Sequence, residues 1–191
     1  MEGADNPIED PVNGLDLLSE QHEQIKHLLA RVRENAGTAA AVSDFSELRR
    51  LLSVHETAEE IVVRPLTRTE VPNGRGVAGA RMNEENEAKV VLARLEKLGA
   101  DSAEFAAEFP SFESAVLAHA EAEERDELAP LKAMQREGHL SQLGSSIIEA
   151  ERTAPTHPHP HAKTTAANIV LGPFAAVLDR VRDAIAHRRA S

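Results

Sequence analysis

Cysteine, tryptophan and tyrosine are absent from the 191-residue sequence, and phenylalanine occurs only five times. The lack of cysteine excludes disulfides, thiolate zinc sites, iron–sulfur clusters and cysteine nucleophiles. With so few aromatic residues the core has to be aliphatic, which favours packed helices over a β-sandwich. No run of about 18 apolar residues occurs, so the sequence predicts no membrane-spanning helix.

Basic residues are outnumbered by acidic ones, 21 against 32, and the formal net charge is −11. Nucleic acid is therefore not expected as a partner, because phosphate binding needs a basic surface. The first 14 residues, MEGADNPIEDPVNG, are acidic and lack the apolar centre of a signal peptide. We expect a cytoplasmic protein.

Apolar residues recur at helical spacing in four segments of the first 137 residues. The predicted helices run from Leu15 to about Asn35, from Ser43–Asp44 to the neighbourhood of Pro65, over about 80–98, and from about Ser111 to Arg136. Ser43–Asp44 can cap the second of these helices. Residues 72–79, PNGRGVAG, have the composition of a turn. Helices of this length with short connections predict an all-α fold, an antiparallel four-helix bundle.

The rest of the sequence predicts a helical extension. A short fifth helix is expected over 141–153, and it is followed by the proline- and histidine-rich stretch 155–163. An amphipathic helix is expected to begin after Pro173. The predicted organisation is thus a flexible N-terminus over 1–13, a four-helix bundle over 14–137 and an extension over 138–191.

Two histidines have a glutamate four positions downstream, His55 with Glu59 in HETAEE and His119 with Glu123 in HAEAEE. Residues i and i+4 lie on one face of a helix about one turn apart, so each pair can reach the same metal ion. Imidazole and carboxylate are ligands that iron or manganese takes in a site without cysteine. The two motifs predict a metal centre.

The surroundings of these motifs also repeat along the chain. The segments 19–32 and 82–95 align through LLAR and VLAR, which places His22 opposite Glu85. Each half of the chain then carries one donor on its first helix and one H-x-x-x-E pair on its second. When the halves pack together, six donors converge: His22, His55, Glu59, Glu85, His119 and Glu123. Six donors with shared carboxylates suit two metal ions.

Simpler interpretations of several residues stay open. Glu85 has acidic neighbours in Glu84 and Glu87, and Asn86 could also coordinate. The remaining acidic residues near the motifs are interpreted as surface charges: Glu56, Glu60, Glu121, Glu124 and Glu127. Glu60 or Glu124 could instead orient a ligand histidine. Six apolar residues on the ligand faces are expected to wall the site: Ile25, Leu29, Leu52, Val62, Leu92 and Val116.

The order of a histidine, an H-x-x-x-E-E motif, a further donor and a second H-x-x-x-E-E motif resembles the hemerythrin-like (HHE cation-binding) family. The similarity covers roughly residues 14–137, and it is greatest to actinobacterial and mycobacterial members. The resemblance implies a non-haem centre of two iron ions, with manganese as an alternative. It also implies that Glu59 and Glu123 bridge the ions and that His22, His55 and His119 are terminal ligands.

One departure from the family pattern concerns the third helix, where the family has histidine and this chain has Glu85. Lys89 also stands where oxygen-carrying members have a further histidine. A third carboxylate adds negative charge, which stabilises ferric ions. We therefore expect decomposition of H2O2 rather than reversible O2 carriage.

Other functions remain open from the sequence. A module that binds O2 or NO, or that senses iron or redox state, is the alternative to the enzyme. A helical interaction domain in which the H-x-x-x-E pairs are accidental is a further one. Small oxidants are the expected partners, and the chain is expected to be a monomer or a homodimer.

Overall fold

The computed structural model describes residues 13–134 and 137–153. This part of the chain is made of helices and turns without a strand, which confirms the all-α prediction. We number five helices: α1 Gly14–Asn35, α2 Ala39–Glu70, α3 Gly74–Leu98, α4 Ala103–Met134 and α5 Glu137–Thr153. Helix α2 consists of Ala39–Ala58, the π-helical turn Glu59–Val63 and Arg64–Glu70. Helix α4 consists of Ala103–Glu123, the π-helical turn Glu124–Leu128 and Ala129–Met134. Residues 1–12, the stretch 155–163 and the C-terminal helix predicted after Pro173 lie outside the described residues.

The first four helices form the predicted antiparallel bundle. Helix α1 packs against α2 and α4, while α3 packs against α4 and the last segment of α2. Helix α5 lies across α1 and α2, and it crosses α1 very closely. A Cβ atom on Gly14 would lie 2.5 Å from the backbone nitrogen of Gly144. Within the two described ranges, no helix combines the length and the apolar composition that crossing a bilayer requires.

Helix α2 begins at Ala39, four residues before the predicted Ser43–Asp44. The prediction took Asp44 for a helix cap, and this was wrong because its carboxylate pairs with another helix. Asp44 accepts hydrogen bonds from the side chains of Arg31 and Asn35 on α1. These hydrogen bonds to the buried carboxylate of Asp44 hold the start of the α1–α2 hairpin together.

Helix α4 also begins earlier than predicted, at Ala103 rather than at about Ser111, after Pro110. The hydroxyl of Ser102 caps it by accepting a hydrogen bond from the backbone nitrogen of Phe105, at 3.1 Å. Pro110 lies inside the helix and removes one backbone hydrogen bond. The helix continues because Phe105 and Phe109, which lie just before the proline, are fully buried in the core.

Helix α3 begins at Gly74, so only the start of the predicted turn 72–79 is a turn. Asn73 adopts a left-handed conformation with φ of 52° just before it. A Cβ atom on Gly74 would lie 1.8 Å from the carbonyl oxygen of Thr67, which requires glycine at this position. The helix ends before Gly99, as predicted, and this glycine has a φ of 79°.

Each long helix that carries an H-x-x-x-E motif contains a π-helical turn, Glu59–Val63 in α2 and Glu124–Leu128 in α4. The turn begins at the motif's glutamate in α2 and directly after it in α4. Helix α2 was predicted to end at Pro65, but it continues to Glu70. The π turn shifts the hydrogen-bond register, so Pro65 is accommodated as in the first turn of a helix. Such turns are frequent at functional sites.

The hydrophobic core consists of two clusters, one toward each end of the bundle. Leu18 belongs to one cluster and Ile25 to the other, and His22 lies between them on α1. Along α2, His55 lies between Leu52 and Ala58 in the same way. The polar site therefore occupies a layer between the clusters. All six residues predicted to wall it are buried: Ile25, Leu29, Leu52, Val62, Leu92 and Val116.

Candidate metal centre

The six donors predicted from the sequence lie together in the centre of the bundle. They form two groups of four whose donor atoms all lie within 4.8 Å of one another. The first group consists of His22, His55, Glu59 and Glu123, and the second of Glu59, Glu85, His119 and Glu123. Glu59 and Glu123 belong to both groups.

In the first group, two imidazole nitrogens face two carboxylate oxygens. The Nε2 atoms of His22 and His55 are 3.0 Å apart. Nε2 of His55 is 3.4 Å from Oε1 of Glu59, and Nε2 of His22 is 3.3 Å from Oε2 of Glu123. Neighbouring ligands of an octahedral ion with bonds of ~2.1 Å lie about 3 Å apart. The spacing therefore matches a metal-binding arrangement.

In the second group, Nε2 of His119 lies 3.0 Å from Oε1 of Glu123. Glu85, on α3, is buried and faces the same space. The sequence left Glu84, Asn86 and Glu87 as alternatives at this position. The structure brings Glu85 into the group, whereas Asn86 and Glu87 are exposed.

Each of the three histidines has its second ring nitrogen bound to an oxygen of a neighbouring helix. Nδ1 of His22 is 2.8 Å from Oε1 of Glu124, Nδ1 of His55 is 2.9 Å from Oε1 of Gln21, and Nδ1 of His119 is 2.8 Å from Oε2 of Glu84. With Nδ1–H donating, each ring presents the lone pair of Nε2 to the cluster once Nε2 carries no proton. Such outer partners fix the tautomer and the orientation of a ligating imidazole.

Two of these partners, Gln21 and Glu84, were missed by sequence reasoning, and Glu124 was only an alternative. Glu124 is the last residue of the second H-x-x-x-E-E motif, but it binds the histidine of α1 rather than that of its own helix. Its other oxygen accepts a hydrogen bond from Ser19 at 3.2 Å. Their place in the sequence could have indicated them, because Gln21 and Glu84 directly precede the donors on α1 and α3.

The three imidazoles differ in proton affinity. Burial alone would lower the pKa of His22, but its contacts with the carboxylates of Glu123 and Glu124 raise it to about 10. The pKa of His119 rises to about 9 because the charge of Glu123 overcomes the same effect of burial. Burial and then the charge of His22 lower the pKa of His55 to about 3. In the metal-free site His22 and His119 therefore hold protons that a metal ion has to displace.

The two shared carboxylates differ as well. Burial and the charge of Glu123 raise the pKa of Glu59 well above its usual range. Burial also acts to raise the pKa of Glu123, but the charges of Arg64 and His119 bring it well below its usual range. Two adjacent buried carboxylates titrate as a pair, and a cation between them is needed for both to be ionised.

Arg64 is a buried cation in this cluster that sequence reasoning did not find. Its side chain is 0% exposed. Its Nη2 atom contacts Glu123, lies 2.5 Å from Oε1 of Glu85 and lies 3.4 Å from Oε2 of Glu59. Its Nη1 atom lies 2.5 Å from Oε2 of Glu127. The available signal was a single charged residue inside the apolar run IVVRPL, at 61–66.

Two acidic residues interpreted as surface charges are not at the surface. Glu127 is 0% exposed and pairs with Arg64. Glu56 is mostly buried, and Nζ of Lys89 lies 3.2 Å from its Oε2 atom. Lys89 also lies 3.8 Å from Oε2 of Glu85. The interpretation failed because glutamates on either side of a ligand position turn toward the bundle interior wherever a buried cation meets them.

The residues present fit a pair of metal ions. Among the described residues, Oε1 of Glu59, Oε2 of Glu123 and Nε2 of His119 are buried and have no hydrogen-bond partner in good geometry. Buried polar atoms without partners are costly, and here all three belong to the donor groups. The mixture of imidazole and carboxylate is the donor set that suits iron or manganese.

A cavity of about 420 Å³ adjoins the cluster. It reaches all three donor histidines and also Glu85 and Glu123, and much of its remaining wall is apolar. The exposed residues Ser111 and Glu87 belong to its lining, so it opens between α3 and α4. A small molecule can therefore reach the donor atoms through a largely apolar passage.

Comparison with known proteins gives three similarities. A family model described as the hemerythrin HHE cation binding domain matches residues 13–131. A hemerythrin-like protein of Schizosaccharomyces pombe is 27% identical over 134 residues, which cover 69% of this chain and 66% of that protein. This chain therefore matches just under two thirds of the yeast protein's length. The crystal structure of a hemerythrin HHE cation binding domain-containing protein from Mycobacterium kansasii has the same fold, with a TM-score of 0.65. The two sequences are 24% identical, and the match covers 74% of this chain and 86% of that one.

Proposed function

Because this chain belongs to the hemerythrin HHE cation-binding domain family, we propose that it holds two iron ions and uses them to decompose hydrogen peroxide. In this reaction one peroxide molecule loses two electrons and two protons and becomes O2. A second peroxide molecule takes up those electrons and protons and becomes two water molecules. No other oxidant or reductant is required.

The observation that carries the proposal is the pair of donor groups that share Glu59 and Glu123. We assign His22 and His55 as terminal ligands of one ion, and Glu85 and His119 as terminal ligands of the other. The shared carboxylates would bridge the two. Manganese remains the alternative metal, since the same donors suit it.

Bound iron supplies a redox pair that can exchange two electrons with each peroxide. The chain's own residues set the conditions for this. The acceptors on each Nδ1 atom keep the three Nε2 lone pairs directed at the cluster. The two apolar clusters exclude bulk water from both ends of the site.

Glu85 supports peroxide chemistry over reversible O2 carriage. It adds a third carboxylate to the cluster, and the charges of Arg64 and Glu127 cancel each other. The negative charge of Glu85 is therefore left to favour the ferric state of the bound ions. Reversible O2 binding requires that the ferrous state be regained easily.

The proposal is tested by O2 evolution from H2O2 with purified, iron-loaded protein. We expect turnover that requires iron and that is abolished in His55→Ala, because this substitution removes a ligand from the first group. His27→Ala is the matched control, since His27 is exposed on α1 and outside both groups. Iron-loaded protein that binds O2 or NO but evolves no O2 from peroxide would contradict the enzyme and favour the binding module.

The hydrogen bond between Glu124 and His22 leads to a second prediction. In Glu124→Ala, Nδ1 of His22 loses its acceptor, and we expect iron affinity to fall by roughly 10- to 100-fold. Glu121→Ala, an exposed glutamate on the same helix, should leave it unchanged. Competition with a coloured iron chelator measures both variants, and equal affinities would show that Glu124 does not position the ring.

The cytoplasmic location, the monomeric or homodimeric state and the division of the chain at residues 14 and 137 stay predictions from the sequence.

A further inference from the structure

The guanidinium of Arg64 lies where a metal ion of the second group would bind. Its Nη2 atom contacts Glu59, Glu85 and Glu123, which are three of the four members of that group. The fourth member, His119, presents an Nε2 atom that lies 3.0 Å from Oε1 of Glu123 and has no hydrogen-bond partner in good geometry among the described residues. A cation is thus already present in the second group, and it is part of the chain.

The two oxygens of each shared carboxylate face different groups. At Glu59, Oε1 lies near His55 of the first group, and Oε2 lies near Arg64. At Glu123, Oε2 lies near His22, and Oε1 contacts Arg64. This is the division expected of carboxylates that bridge two cations, with the guanidinium as the second cation.

A guanidinium and a metal ion cannot occupy this position together, so Nη2 has to move when a metal ion enters. Glu127 offers the place to which it can move. Oε2 of this fully buried carboxylate already pairs with Nη1 of Arg64, and its Oε1 atom forms no ion pair among the described residues. Both nitrogens on Glu127 would make the bidentate pair that arginine favours with a carboxylate.

We propose that Arg64 is a resident cation of the second group, so that the chain binds its two metal ions in sequence. The first ion enters at His22 and His55 without disturbing Arg64. The second ion binds only when the guanidinium leaves Glu59, Glu85 and Glu123 for Glu127. This inference rests on the proposed two-metal site and adds an order of loading to it.

The test is equilibrium dialysis of metal-free protein against Mn²⁺ alone, with electron paramagnetic resonance to distinguish an isolated ion from a coupled pair. We expect the wild type to bind one ion tightly and a second roughly 10- to 100-fold more weakly, because charged hydrogen bonds must be exchanged. In Arg64→Met the two ions should bind with similar affinity, and the coupled signal should appear at lower Mn²⁺ concentration.

Glu127→Gln provides a second variant that does not depend on the folding of Arg64→Met. The substitution weakens the pairing that residue 127 offers to the displaced guanidinium. The affinity for the first ion should therefore stay the same, and the affinity for the second should fall still further. Arg49→Met is the matched control, because Arg49 is a largely buried arginine on the same helix that pairs with Glu96 outside the site. It should bind Mn²⁺ as the wild type does.

The outcomes separate this inference from the proposed function. Two ions of equal affinity in the wild type, unchanged in Glu127→Gln, would overturn the role of Arg64 and leave the two-metal site intact. No Mn²⁺ bound by the wild type would overturn both.

Discussion

Replacing Glu123 with alanine is expected to remove both metal ions at once, because Glu123 belongs to both donor groups. Iron content should fall from two per chain to near zero. Peroxide decomposition should fall further than the ~100-fold that the loss of an outer hydrogen-bond partner can cost. The variant should still fold without metal, since alanine favours the helix and one buried negative charge is removed. Elemental analysis together with O2 evolution measures both effects.

Two variants on the same helix serve as comparisons for Glu123→Ala. Glu121→Ala changes an exposed residue and should retain both ions. His119→Ala removes a member of the second group only, so the first group should keep its ion. If Glu123→Ala retains two iron ions, the carboxylate of Glu123 is not a ligand that the two ions share.

Removing the metal ions is expected to lower the midpoint of thermal unfolding by about 10 °C. An ion at a thousandfold excess over its dissociation constant contributes about 4 kcal/mol, and each kcal/mol moves the midpoint by about 2–4 °C for a chain of this size. Without the metal ions, the guanidinium of Arg64 is shared by four buried carboxylates, those of Glu59, Glu85, Glu123 and Glu127. Calorimetry before and after treatment with a chelator measures the change.

The control for this prediction is Glu123→Ala, which lacks one of the two shared carboxylates. In Glu123→Ala the chelator should have no effect on the unfolding midpoint, because no ion is bound. A wild-type midpoint that stays the same after its iron is removed would show that the iron was held at the surface.

The grouping of the donors could be predicted from the sequence because it depends on local geometry and on the repeat. The i, i+4 spacing places His55 and Glu59 on one helix face whatever the rest of the fold does. The alignment of the two halves then points to His22 and Glu85, which no local motif marks.

The contacts across helices could not be predicted in this way. Arg64 has no counterpart in the second half of the chain, where the same region of the motif reads DELAPL at 126–131. Its partner Glu127 looked like one more acidic residue in a chain rich in them. Which glutamates turn inward depends on where the buried guanidinium lies, and a linear pattern does not carry that information.

Helix boundaries were the other weakness, and each error has a local cause. Pro65 and Pro110 indicate helix ends by steric rules. A π-helical turn accommodates the first, and the burial of Phe105 and Phe109 outweighs the cost of the second. Ser43–Asp44 looked like a cap, but the carboxylate of Asp44 is used by α1.

The most direct test of the two-metal site is anomalous diffraction at the iron edge from crystals equilibrated with excess Fe²⁺ in the absence of oxygen. Two peaks should appear on either side of the shared carboxylates of Glu59 and Glu123, one next to His22 and His55 and the other next to Glu85 and His119. Iron peaks confined to the protein surface, or no peak between the two shared carboxylates, would contradict the account.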